Sequence, residues 1–145
     1  KALYAVSIGA WLSLLSFYPT TFSRCLLVSP LLDMEGLILS MMKQAGVTES
    51  RLRKEQIIPA ASGQDLSWEY LTYARAHPAP LWPCPTSILY GEGDSLVPLA
   101  SVRDFAQRNA CSLTNQPGGE HWFHTPEQLD DLKGWIGREM DFPKV

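Results

Sequence analysis

Ser7 stands in Ala5-Val6-Ser7-Ile8-Gly9, at a break between the apolar stretch Leu3–Val6 and the apolar segment Ala10–Phe17. A serine hydroxyl is a poor nucleophile until a base takes its proton. A tight strand-to-helix turn helps by exposing the hydroxyl and bringing backbone N–H groups near it. The pentapeptide reads A-x-S-x-G, with alanine where the common G-x-S-x-G elbow has its first glycine. Small residues are expected on both sides of the serine, because strand and helix backbones approach closely there. Two further groups complete a possible relay: Asp94, closing Tyr90-Gly91-Glu92-Gly93-Asp94, and His121, following Gly118-Gly119-Glu120. An imidazole can accept the serine proton while a carboxylate holds that imidazole in the productive tautomer.

Other residues compete for these roles. Asp33 follows the apolar run Cys25–Val28 and could supply the acid, and His124 lies close after His121. His77 precedes Pro78 at an expected helix end, where a cation is mildly favoured. Glu92 and Glu120 read as solvated loop carboxylates. Ser29 lacks a following glycine and reads as a turn residue.

Three kinds of element must position the chemistry. Leu3–Val6, Cys25–Val28 and Ser87–Tyr90 are apolar runs without polar alternation, which suits strands of a parallel sheet covered on both faces; Ser112–Gln116 is a weaker fourth. Helices are expected over Ala10–Phe17, apolar almost all round and therefore buried on several sides, and over a segment with Leu99, Val102, Phe105 and Ala106 on one face. A last helix should present Leu129, Leu132, Ile136 and Met140, and Thr125-Pro126-Glu127-Gln128 supplies its N-cap hydroxyl, first-turn proline and capping-box glutamine. Residues 31–83 are too long for an ordinary connection between two strands. They read as an inserted helical lid, with helices over Met34–Gln44 and Ser67–Ala76, dividing a core of residues 1–30 and 84–145. Met41, Trp68 and Tyr70 of the lid, with Trp122 beside His121, are the expected substrate contacts.

Taken together these motifs resemble the α/β-hydrolase family, in which Ser, Asp and His follow in that chain order, each after a strand. Gly91 to Asp94 matches the family's G-x-x-D, continued by Leu96-Val97-Pro98. Gly119-Glu120-His121 matches the loop before the last helix, and an insertion ahead of the acid's strand is where the family carries a lid. The resemblance implies an α/β fold, a mostly parallel sheet flanked by helices, seen without its N-terminal half. It implies a serine hydrolase acting on a small ester, thioester or amide: Ser7 as nucleophile, His121 as base, Asp94 as acid and the Ile8 N–H as one oxyanion donor. No metal or organic cofactor is implied, and a serine nucleophile argues against dehalogenases. The alternative is a non-catalytic relative or fragment that binds a partner.

Composition bounds the rest. Over 145 residues, 46% hydrophobic content is that of a globular chain, and a net charge of −3 gives no general reason to expect nucleic acid or an acidic membrane surface as partner. Three widely spaced cysteines, Cys25, Cys84 and Cys111, form neither a disulfide framework nor a metal cluster and fit a cytoplasmic setting. Lys1 and the apolar run to Phe17 have the outline of a signal peptide, but the run is short for a membrane span and no small-x-small cleavage pattern follows. A start inside an expected buried strand points instead to a missing beginning. The edge beside Leu3–Val6 would then need a homodimer partner or a complementing N-terminal half.

Overall fold

The computed structural model describes residues 1–61 and 63–140, so residue 62 of the insertion and residues 141–145 of the C-terminal segment lie outside the described residues. In chain order the elements are β1 (Ala2–Val6), α1 (Ile8–Phe17), β2 (Arg24–Val28), α2 (Met34–Gln44), α3 (Glu49–Glu55), β3 (Ile57–Ile58), β4 (Leu66–Ser67), α4 (Trp68–Ala76), β5 (Thr86–Gly91), α5 (Leu99–Arg108), β6 (Ser112–Gln116) and α6 (Pro126–Met140). The chain divides into two compact units, one of Lys1–Leu32 with the chain from Pro80 onward, the other of Asp33–Ala79.

The first unit holds a four-stranded parallel sheet in the order β1-β2-β5-β6. β5 is buried at every position and β2 at all but its first, as expected of strands covered on both faces. β1 is different. It ends the sheet, and Tyr4 (49% exposed) and Val6 (40%) alternate with the more covered Leu3 and Ala5, so only one of its faces is packed. α1 follows suit: Ala10, Trp11 and Leu14 are buried, whereas Leu12 and Phe17 are nearly half exposed. The expectation of a helix buried on several sides is corrected, because among the described residues only one side of α1 is covered.

α6 packs against β2 and β5 of the sheet. Trp135 is buried against Leu26, Val28, Leu89 and Phe123, with Leu132 and Ile136 partly covered beside it. Leu129 and Met140, expected on the buried face, are exposed, and Gln128 and Trp135 occupy it instead. A period of 3.6 fits either stripe, and the bulk of Trp135 decides between them. The Thr125 hydroxyl caps the helix by accepting the Gln128 N–H at 3.2 Å, as the sequence implies.

In the second unit, the Asp33 side chain caps α2 by accepting the Gly36 N–H at 2.9 Å, and Ser67 caps α4 by accepting the Tyr70 N–H at 3.2 Å. α3 and the short antiparallel pair β3–β4 lie between them. Arg75 of α4 joins the three helices of this unit, donating to Glu35 on α2 and to both oxygens of Glu49 on α3.

Candidate active site

Ser7 separates β1 from α1 with φ 52° and ψ −127°. A positive φ costs a residue with a Cβ on the order of 1–3 kcal/mol, so the turn must be held by its surroundings. It is: the Ser7 N–H donates to the Val28 carbonyl at 3.0 Å, and the Ser7 carbonyl accepts from the N–H groups of Ala10 and Leu31, each at 3.0 Å. Serine is among the preferred N-cap residues, yet this one makes no side-chain cap. Its Oγ lies 2.8 Å from His121 Nε2 instead.

On the far side of the imidazole, His121 Nδ1 lies 2.7 Å from Asp94 Oδ2. The Asp94 side chain is fully buried, and its other oxygen accepts the N–H groups of Leu96 at 2.8 Å and Val97 at 2.9 Å. Burial alone would raise this carboxyl, but the hydrogen bonds from His121, Val97 and Leu96 outweigh it and hold the group below its ordinary value. An ionised carboxylate can only accept, so Nδ1 carries the ring proton and Nε2 is free to accept from the Ser7 hydroxyl. That tautomer is the one in which an imidazole can act as general base toward serine.

Close backbone contact sets the height of the histidine loop. A Cβ on Gly91, the last residue of β5, would lie 2.5 Å from the carbonyl carbon and oxygen of Gly119, so only glycine fits here. The Gly93 N–H donates to the Gly119 carbonyl at 2.8 Å and pins the same loop to the acid's turn. From below, the buried Gln128 side chain donates to the Gly118 carbonyl at 3.3 Å and to Glu120 at 3.1 Å, and accepts the His124 N–H at 3.3 Å. The sequence offered Gln128 only as a capping residue; its bracing of this loop depends on contacts made in the folded chain.

The remaining candidates are engaged otherwise. Asp33 is an N-cap, and His77 Nδ1–H donates to the Tyr73 carbonyl at 2.7 Å with its ring stacked on Tyr73. His124 Nδ1–H donates to the Trp122 carbonyl at 2.7 Å and its ring stacks on Trp122. All three cysteines are free. Burial pushes the thiols of Cys25 and Cys111 up to about 11, which keeps them protonated and poor as nucleophiles. Among the described residues, no group of three or more His, Cys, Asp or Glu could hold a metal, and no helix is long and apolar enough to cross a membrane. One expectation needs correction: a Cβ on Gly9 would meet no atom of the described residues within 4 Å, so packing among them does not require glycine after the serine.

No protein-family model matches the sequence, and no curated protein matches it. Solved structures do. Est1E from Butyrivibrio proteoclasticus superposes with a TM-score of 0.70 at 17% identity, over 96% of this chain and 60% of that one. Alpha/beta hydrolase domain-containing protein 10 from mouse gives 0.71 at 18% identity, over 97% and 61%. The Pyrococcus furiosus esterase PF2001 gives 0.59 at 16% identity, over 96% and 52%. The chain has the α/β-hydrolase fold. It spans about 60% of the length of the first two of these structures.

Within this hydrolase fold, Ile8 opens α1, so its amide belongs to the first helical turn, whose N–H groups have no acceptor inside the helix. Trp122 follows His121 directly and is 73% exposed. Met41 and Trp68 are half-buried on α2 and α4 of the helical unit, and Tyr70 is more exposed on α4.

Proposed function

We propose that this chain carries the catalytic relay of a serine hydrolase, acting on a small ester, thioester or amide through an acyl-enzyme. The observation that supports the reading most is the pairing of a strained, non-capping Ser7 with His121 Nε2, while Nδ1 of the same ring is held by a buried carboxylate. Ser7 Oγ attacks the acyl carbonyl as its proton passes to Nε2, and the new oxyanion forms at the N-terminus of α1, where the Ile8 N–H is available. The imidazolium then protonates the departing alcohol, thiol or amine. A water, deprotonated by His121, attacks the acyl-serine, and collapse returns the proton to Ser7 and releases the acid. The exposed indole of Trp122 beside His121 offers the bound substrate an apolar contact. No step calls for a metal or organic cofactor. The esterase among the structural neighbours supports an oxygen ester as the first substrate class to try.

A second reading is supported by the apolar sheet edge at β1: with Tyr4, Val6 and Ile8 all at least 40% exposed, the chain could serve as an interaction module, either pairing with a second copy or receiving a complementing segment. Fluorophosphonate labelling tests the catalytic reading. Wild-type protein, as this chain and as any longer gene product, is expected to label, and the Ser7→Ala and His121→Ala variants are not. A folded gene product that stays unlabelled overturns the hydrolase reading and leaves the interaction role.

A further inference from the structure

The two oxygens of Asp94 are divided between the relay and the backbone. Oδ2 lies 2.7 Å from His121 Nδ1, and Oδ1 accepts the N–H groups of Leu96 at 2.8 Å and Val97 at 2.9 Å. Rotation of a carboxylate about its last side-chain bond is soft, so the hold on Oδ1 decides where Oδ2 points. That hold is reciprocal: it fixes carboxylate and turn to one another and ties neither to the sheet. The start of the turn is tied by the Asp94 N–H, which donates to the Gly91 carbonyl at the end of β5 at 3.0 Å. Its far end, Val97, needs an anchor of its own.

Tyr90 supplies it. This residue of β5 directly precedes Gly91 and is buried, and its hydroxyl donates to the Val97 carbonyl at 2.7 Å. Val97 is itself buried, so its carbonyl has to be satisfied inside the protein. The residue is thus held at both of its polar groups, the N–H by Asp94 and the carbonyl by Tyr90. Burial, and after it the charge of nearby Asp94, raise the phenol above its ordinary value, so it keeps the proton that it donates. Packing alone does not call for tyrosine here. Phenylalanine would present the same ring, and a buried phenol is costly unless it is bonded. What the hydroxyl adds is a strut of fixed length from a strand paired on both sides, to β2 and to β6, to the end of the turn that holds the carboxylate.

We propose that Tyr90 is a positioning residue of the relay, its hydroxyl fixing Val97 to the sheet and so setting the direction from which Asp94 meets His121. This role rests on the catalytic reading of Ser7, Asp94 and His121, and it gives Tyr90 no contact with substrate. The test is an NMR measurement of the His121 Nδ1–H proton, whose resonance reports its hydrogen bond to Asp94 and is identified by its loss in His121→Gln. Tyr90→Phe removes the hydroxyl and keeps the ring. Thr86→Val is the matched control: Thr86 opens the same strand at the end away from the site, is also buried, and its hydroxyl donates to the Cys84 carbonyl at 2.8 Å. Each variant loses one buried hydroxyl-to-carbonyl bond, so both should melt about 3 °C lower. Only Tyr90→Phe should shift or broaden the resonance, and only it should label with fluorophosphonate more slowly, by about fivefold for one neutral hydrogen bond transmitted to the relay. A resonance unchanged in Tyr90→Phe overturns the proposal, and the hydrolase reading then stands wherever wild type labels. A resonance moved as far by Thr86→Val overturns it too, since lost stability would then be the whole effect. A resonance that moves only in Tyr90→Phe, in a protein that never labels, sustains the role of Tyr90 while the hydrolase reading fails.

Discussion

Replacing Gly91 with alanine should damage the site without touching any of the three residues that compose it. The new Cβ would stand 2.5 Å from both the carbonyl carbon and oxygen of Gly119 and 2.7 Å from the Glu120 carbonyl oxygen. Carbon atoms meet without repulsion at about 3.5 Å, so the clash amounts to roughly 1 Å. β5 is hydrogen-bonded on both sides, to β2 and to β6, and cannot retreat. The histidine loop must yield. Moving Gly119 by that distance breaks its 2.8 Å bond from the Gly93 N–H and carries His121, two residues on, away from Ser7. Overpacking costs about 1–3 kcal/mol and the lost backbone bond about 1 kcal/mol more. A domain of this size should then melt on the order of 10 °C lower. A misplacement near 1 Å in a catalytic relay costs about 100-fold in rate. Thermal unfolding by circular dichroism reads the first quantity and the rate of fluorophosphonate labelling the second. Gly9→Ala is the matched control: its Cβ meets nothing among the described residues, and alanine in α1 should hold or raise stability by up to about 1 kcal/mol. A G91A protein that melts and labels like wild type would refute the argument that this contact sets the position of His121.

Asp94→Asn should lower the labelling rate by about 10⁴-fold, because the amide no longer enforces the tautomer with its proton on Nδ1. The same variant should flatten the acid limb of stability. In the folded chain this carboxyl sits below its ordinary value, so its contribution is complete above the unfolded pKa near 3.9 and is lost as pH falls through the folded one; acid titration followed by circular dichroism checks this. Thr125→Ala removes the cap on the Gln128 N–H and should cost about 1 kcal/mol in urea unfolding. Trp135→Ala should cost about 3–5 kcal/mol, since the side chain is 1% exposed among Leu26, Val28, Leu89 and Phe123. Trp135→Phe should cost far less in the same assay, because the indole N–H has no partner to lose among the described residues.

How much could be read in advance differs from element to element. Met34–Gln44 and Ser112–Gln116 are legible to the residue, the helix from its Met- and Leu-rich run closed by Gly46, the strand from its position before Pro117-Gly118-Gly119. α3 was not, because Glu49–Glu55 has a single buried apolar residue, Leu52, and one residue has no period. Its one usable signal was Thr48, whose hydroxyl accepts the Arg51 N–H and caps it. The buried face of α6 was misassigned because Gln128 is polar, and only its bonds to the histidine loop make its burial tolerable.

For the site, the sequence by itself determined the order of a hydroxyl, a carboxylate and an imidazole along the chain, and the strands and turns that must carry them, since those follow from local apolar runs and glycine placement. Only the tertiary structure decided that His121, 114 residues from Ser7, meets that serine through Nε2 and Asp94 through Nδ1. It alone decided that Gly91 and Gly119 touch and that Ser29 is fully buried with no partner for its hydroxyl among the described residues. Local spacing sets where a strand ends; the order of strands in the sheet sets which ends lie side by side, and that order is a property of how the whole chain packs.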